Sequence, residues 1–215
     1  MHLKNCDEKQ KQILRCKMIL IDKIKNEFIK YGGVLKTTEL AALGLSSRQI
    51  KKLLGEGIIS KIKYGFYELS DGVPKDEVII ARLFPDAVIF LESALMYYGY
   101  TDRIPLAWQI AVDKYSNKTK YNINYPLIEP FYLEPKLLGI GINTIHIGKV
   151  AIKIYDKERT MCDVLRYENK LEREVFSNSI QHYIKDSNKN MRRLYEYAKI
   201  FNINNKVQTY IGVWV

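Results

Sequence analysis

The feature that most constrains this 215-residue chain is the stretch GVLKTTELAALGLSSRQIKKLLGEGIISKIKYGFYEL, Gly33 to Leu69, because its hydrophobic period changes part-way along. Leu40 and Leu43 share one face of a short helix for which Thr37 is the expected cap, and Gly44 supplies permissive backbone for a turn. A second helix is expected at once: Ser46 and Gln49 have capping-box spacing, and Ile50, Leu53 and Leu54 repeat at helical intervals. Arg48, Lys51 and Lys52 then fall on the opposite face. After Gly57 the pattern turns β-rich through Ile58, Ile59 and Ile62, Tyr64-Gly65 provides a turn, and Phe66-Tyr67-Glu68-Leu69 returns as a second strand. A short helix, a glycine turn, a capped basic helix and a hairpin in this order predict a winged helix-turn-helix.

Between Ser46 and Gly65 there are five basic residues, Arg48, Lys51, Lys52, Lys61 and Lys63, against one acid, Glu56. Any solvent-facing helix carries charge, and winged helices also serve as protein-docking modules, so the order of elements together with the stripe is what points to duplex DNA. The formal charge is +10, with pI near 9.3. Residues 1–72 hold 14 Lys or Arg against 8 Asp or Glu, a surplus of 6, and the remainder holds 20 against 16, a surplus of 4. Positive charge is therefore denser where the reader is expected.

Asp7 to Tyr31 reads as a helix with Ile13, Leu14, Ile21, Ile24, Phe28 and Ile29 as its apolar stripe, ended by Gly32-Gly33. It would complete a three-helix core. Ser70-Asp71-Gly72-Val73-Pro74 is the expected linker, dividing the chain into a DNA-binding domain over 1–72 and a second domain over 73–215. In the second, helices are expected over Asp76 to Phe84 and Glu92 to Tyr98. Ala107 to Val112 reads as a strand, and Tyr121 to Tyr132 as an edge-like segment broken by Pro126 and Pro130. Asn143 to Ile154 alternates as a hairpin around Gly148-Lys149, and helices follow from Asp156, over Met191 to Ile200 and near Asn205 to Gly212. The fold class expected is α+β: a winged helix-turn-helix followed by a mixed α+β domain.

Cys6, Cys16 and Cys162 form no CxxC pair, and His2, His146 and His182 are equally dispersed, so neither a disulfide framework nor a structural metal is expected, and no cofactor. The start, MHLKNCDEKQKQ, is too charged for a signal peptide, and no run approaches a membrane span. The expected location is the cytoplasm.

No catalytic residues are expected either. The alternative function weighed is a nucleic-acid-processing enzyme, a metal-dependent nuclease using Pro85-Asp86 and Glu134-Pro135-Lys136 of the second domain, but a proline inside the ExK element argues against a central strand there. Glu158, Asp163, Glu168, Glu172 and Glu174 interleave with Arg159, Arg166, Lys170 and Arg173, which reads as a solvated, salt-bridged helical face. Gly139 and Gly141 lack the surroundings of a phosphate loop. Trp108, Tyr97, Tyr98, Tyr115, Tyr121, Tyr125 and Tyr132 would serve either as core or as an RNA-stacking surface.

GGVLKTTELAALGLSSRQIKKLL with KYGFYEL, then SALMYYGYTDRIP and YDKERTMCDVLRYENKL, resembles in its order the AbiEi family of antitoxins from abortive-infection, type IV toxin-antitoxin systems, over roughly Ile24 to Ile184. The resemblance implies a winged helix that binds inverted repeats in its own promoter, and a second domain contributing to antitoxicity and cooperative repression. It implies a functional partner, a nucleotidyltransferase-like toxin, opposed without a stable complex. By position, Ser47, Arg48, Lys51 and Lys52 match the outward side of the family's recognition helix, and Lys61, Lys63 and Tyr64 match its wing. Lys51 and Lys52 are point charges, suited to phosphate more than to bidentate reading of guanine.

Overall fold

The computed structural model describes residues 18–214. The expected helix from Asp7 is present over 18–30 (α1); its part over 7–17, with Ile13 and Leu14, lies outside the described residues, as do His2, Cys6 and Cys16. The chain is mixed α+β and divides into two compact units, the first running to Leu83 and taking in His146–Val150, the second formed by Phe84–Ile145 and the chain from Ala151 onward.

In the first unit α1 is followed by β1 (Val34–Lys36), α2 (Thr37–Ala42), α3 (Ser47–Gly55), β2 (Ile59–Lys63), β3 (Phe66–Leu69) and α4 (Asp76–Leu83). The strands form an antiparallel sheet in the order β1-β3-β2. Ile24 and Phe28 of α1 meet Leu35, Leu40, Leu45, Ile50, Leu53 and Ile59 in one buried cluster. Ile29, expected on the same stripe, is exposed: one residue past Phe28 is a further 100° around the helix. Gly44 makes the turn between α2 and α3 at φ +90°, and Leu45 just after it donates its N–H to the Leu40 carbonyl while its side chain enters the core.

The division falls after Leu83, not at the turn-rich segment 70–74, because α4 packs into the first unit. Gly32 and Gly33 hold φ +66° and +95°, and a Cβ on either would lie 2.9 Å from Val78 Cγ1 or Pro74 Cβ. Arg82 pairs with Glu39 of α2 and lies 4.9 Å over the Tyr31 ring. The turn formers at 70–74 reverse the chain without releasing it.

In the second unit a five-stranded sheet runs β6-β5-β4-β8-β7, with β4 (Val88–Ile89), β5 (Trp108–Asp113), β6 (Ile128–Leu133), β7 (Ile142–Ile147) and β8 (Val150–Tyr155). β5 is antiparallel to β4 and parallel to β6. β6, which carries Pro130, is an edge strand, the position where a missing N–H is tolerated. Val150, Ile152 and Ile154 of β8 are buried, as their alternation predicts. Helices α5 (Leu91–Tyr97), α6 (Pro135–Leu138), α7 (Lys157–Arg166), α8 (Arg173–Lys185), α9 (Met191–Ile200) and α10 (Asn204–Tyr210) complete the unit.

α7 corrects one expectation. Its charges do not form a solvated face: Glu158, Arg159 and Asp163 are buried along with Met161, Val164 and Leu165. Arg159 Nε donates to Asp163 Oδ2 at 2.7 Å and its Nη1 to the Leu137 and Ile140 carbonyls, both at 2.7 Å. Its guanidinium lies 4.0 Å from the Tyr155 ring and 4.5 Å from that of Phe201. Arg166 reaches the other Asp163 oxygen at 2.8 Å. Burial pushes the Asp163 carboxyl above its ordinary range, and the two guanidiniums oppose that push. Asp156 caps α7, accepting from the Arg159 N–H at 2.7 Å.

Candidate nucleic-acid interface

α3 starts where its sequence requires. Ser46 Oγ accepts from the Gln49 N–H at 3.3 Å and the Gln49 side chain accepts from the Ser46 N–H at 2.8 Å, so two otherwise orphaned donors are satisfied reciprocally. Ile50 and Leu53 are buried, which fixes the helix's rotation. Arg48 and Lys52, one turn apart, then point away from the core, and Ser47 and Lys51 fall on the flank facing the β2–β3 hairpin. Lys52 lies 3.9 Å from Glu56, an exposed pairing of little energetic weight.

α2 differs from expectation in its cap. Lys36 is the N-cap and Thr37 the first helical residue; the Glu39 carboxylate accepts the Lys36 N–H at 2.7 Å. Thr37 instead ties α2 to the hairpin, its N–H donating to the Gly65 carbonyl at 2.9 Å. Gly65 sits at φ +81°, as the tight turn after Tyr64 demands. Tyr64 is 88% exposed, with Lys61 Nζ 5.3 Å over its ring.

The hairpin register carries one irregularity. Lys61 is opposite Tyr67 and Lys63 opposite Phe66, so Ile62 is an extra residue on β2. Were Ile62 paired regularly, Lys61 and Lys63, two residues apart, would share a face. With the irregularity, Lys61 lines the space between hairpin and helices, and Lys63, half-buried, does not.

That space is a groove of about 580 Å³. Its walls are the start of α2 (Lys36, Thr37, Thr38), the flank of α3 (Ser47, Lys51) and the hairpin (Lys61, Tyr64), over a floor of Ile50, Leu54, Phe66 and Tyr67. Three lysines and no carboxylate line it. The structure thus brings four of the seven expected residues, Ser47, Lys51, Lys61 and Tyr64, to one groove, and leaves Arg48 and Lys52 on the adjoining open face of α3. Lys36, Thr37 and Thr38 were not singled out from sequence. Their only signal was the polar Lys-Thr-Thr immediately before Glu39 and Leu40, which marks a helix start.

A chain that offers cations, hydroxyls and an exposed tyrosine around a groove can bind a polyanion. Residues 22–70 match the model of a family described as transcriptional regulator, AbiEi antitoxin. The AbiEi match runs from α1 through β3 and contains all seven expected residues as well as Lys36, Thr37 and Thr38. The family is regulatory. By fold the chain is similar to the RV2827C protein from Mycobacterium tuberculosis, seen in a crystal structure, with a TM-score of 0.54 at 12% identity over 84% of this chain and 71% of that one. No curated protein matches the chain.

The nuclease-like pattern does not assemble as a strand site. Asp86 lies in the turn after α4, Glu134 immediately precedes Pro135 at the first position of α6, and Glu134 is engaged by Lys114. Among the described residues no three His, Cys, Asp or Glu side chains are grouped to hold a metal ion, and no helix is long and apolar enough to cross a membrane. His182 Nδ1 is 3.1 Å from the Tyr100 carbonyl, a structural contact on α8.

Proposed function

We propose that the first unit is a winged helix-turn-helix that binds duplex DNA, at inverted repeats in the promoter of its own operon, and that the protein is a cytoplasmic, non-enzymatic antitoxin. The observation that carries this reading is the carboxylate-free groove between α2, α3 and the β2–β3 hairpin, lying wholly within the segment that matches the AbiEi regulators. Arg48 and Lys52 enter the major groove with Ser47 and Lys51 beside them, while Lys61 and Tyr64 hold the backbone from the hairpin and Lys63, off the groove, adds a weaker contact. Arg48 is the one guanidinium of the set and the side chain suited to reading a base bidentately. The lysines neutralise phosphate, which makes affinity fall with salt. The binding test is a mobility shift on the promoter fragment: the quintuple alanine variant of Arg48, Lys51, Lys52, Lys61 and Lys63 is expected to lose binding, and unchanged binding refutes the assignment.

The second unit, in the same proposal, opposes a nucleotidyltransferase-like toxin without a stable complex. Toxin co-expressed from an independent promoter checks it. Protection is expected to survive Arg48→Ala/Lys51→Ala/Lys52→Ala and to vanish when the chain from Phe84 onward is removed, and the reverse pattern sinks the idea. Stoichiometric co-purification of toxin and protein would leave the antitoxin role standing and remove the complex-free mechanism.

A further inference from the structure

We propose that the second unit carries a separate surface for single-stranded nucleic acid, built by the segment from Lys114 to Tyr125 together with Tyr132 of β6. Between Asp113 and Glu129 the chain holds three lysines, Lys114, Lys118 and Lys120, and no acid. Three tyrosines are interleaved with them, and two stand open to solvent: Tyr115 is 75% exposed and Tyr125 60%. Leu127, just beyond, is 59% exposed. A basic loop that leaves aromatic rings in water has the composition of a stacking platform, because ring faces take any base and ammonium groups track the backbone.

The segment is held in shape by its own bonds. Asp113 accepts from the Tyr115 N–H at 2.8 Å through its side chain and from Ser116 Oγ at 2.6 Å through its carbonyl. Ser116 Oγ in turn accepts from the Tyr121 hydroxyl at 3.1 Å. Asn117 Oδ1 starts the single 3-10 turn over Lys118–Tyr121 by accepting the Thr119 N–H at 3.0 Å. Tyr121 is buried, 5.2 Å from Phe84 and 6.3 Å from Tyr132 between ring centroids, so it anchors the loop to the sheet edge. Lys118 Nζ lies 5.5 Å over the half-buried Tyr132 ring, and Lys120 Nζ 5.8 Å over that of Tyr121. Lys114 is drawn to Glu134 and lies 4.8 Å over the Tyr115 ring, and the phosphate contact of the loop is assigned to Lys118.

Single strands are favoured over duplex because the bases of a duplex are stacked on one another and offer no face to a tyrosine. An anionic membrane or an acidic protein would use the lysines without needing the rings, and substitutions at Tyr115 separate these cases. The experiment is fluorescence anisotropy of the full-length protein with labelled oligo(U) and oligo(dT). Tyr115→Leu is expected to weaken binding of one or both strands by about tenfold and Tyr115→Phe to leave it intact. Lys118→Ala is expected to lower the slope of log affinity against log salt by about 0.7, the value per phosphate on a single strand. Tyr115 is exposed, so both Tyr115 variants should melt with the parent protein, and Arg48→Ala/Lys51→Ala/Lys52→Ala should bind single strands normally. The proposal is overturned if the parent protein binds neither strand, if Tyr115→Leu binds as well as the parent, or if single-strand binding is lost only in the α3 variant.

Discussion

The hairpin irregularity yields the sharpest test of the proposal that the groove binds DNA. Lys51 and Lys61 face each other across it, whereas Lys63 lies off it because Ile62 is inserted opposite Phe66. If Arg48, Lys51, Lys52, Lys61 and Lys63 together make four to five phosphate contacts, the slope of log affinity against log salt is about 3.6 to 4.5 per bound protein, at about 0.9 per contact. Between 50 and 200 mM salt that is a loss of about 150- to 500-fold. Lys51→Ala/Lys61→Ala should lower the slope by about 1.8 and reduce the salt effect to about 10- to 40-fold. Lys63→Ala alone should change the slope by clearly less than Lys61→Ala alone. Titrations on the promoter fragment and on an unrelated duplex supply the measurement, and both duplexes should respond alike, since these lysines neutralise backbone. Equal slope changes for Lys61→Ala and Lys63→Ala would show that the extra residue does not sort the hairpin's charge, and an unchanged slope in the double variant would remove the groove as the binding site.

Other outcomes follow from the packing. Asp163→Ala strands two guanidiniums, one of them fully buried, and should lower unfolding stability by about 3–5 kcal/mol in urea titration. A fragment ending at residue 72 lacks Pro74, Val78 and Arg82 and should melt lower than one ending at residue 84, as followed by circular dichroism; coincident melts would show that α4 contributes nothing to the first unit. The Asp186 carboxyl is held down to about 2 by hydrogen bonds from Lys157 and Tyr100. Its stabilising contribution is therefore complete above its unfolded value of about 3.9 and lost as pH falls toward about 2, and Asp186→Asn should flatten that limb of the stability profile.

Much of the first unit was legible because its signals are local. Ser46 with Gln49, the spacing of Ile50 and Leu53, and the Tyr64-Gly65 turn each act within a few residues, and each element formed where they placed it. Lys36, Thr37 and Thr38 were not legible, because what brings them to the groove is a bond between Thr37 and Gly65, 28 positions apart. The charged run of α7 misled for a related reason. Arg159 and Asp163 at i and i+4 look the same on a wet helix as in a core, and only Tyr155, Phe201 and the carbonyls at 137 and 140 decide between them. That the compact unit runs on to Leu83 was not legible, because Gly and Pro at 70–74 report a turn, and a turn says nothing about whether the next helix comes back.

The inserted Ile62 also has an evolutionary reading. Since strand side chains alternate with a period of two and the bulge absorbs the extra residue, losing Ile62 would keep Lys61 opposite Tyr67 and Lys63 opposite Phe66, each on its present side of the hairpin, with net charge unchanged. A single codon deletion at Ile62 would thus leave the hairpin's charge where it is, whereas a hairpin that kept Ile62 but paired it regularly would bring Lys63 round to the side of Lys61. Relatives that lack the extra residue but keep both lysines should therefore present the same charged side of the hairpin, and the bulge marks a place where length can vary without moving charge.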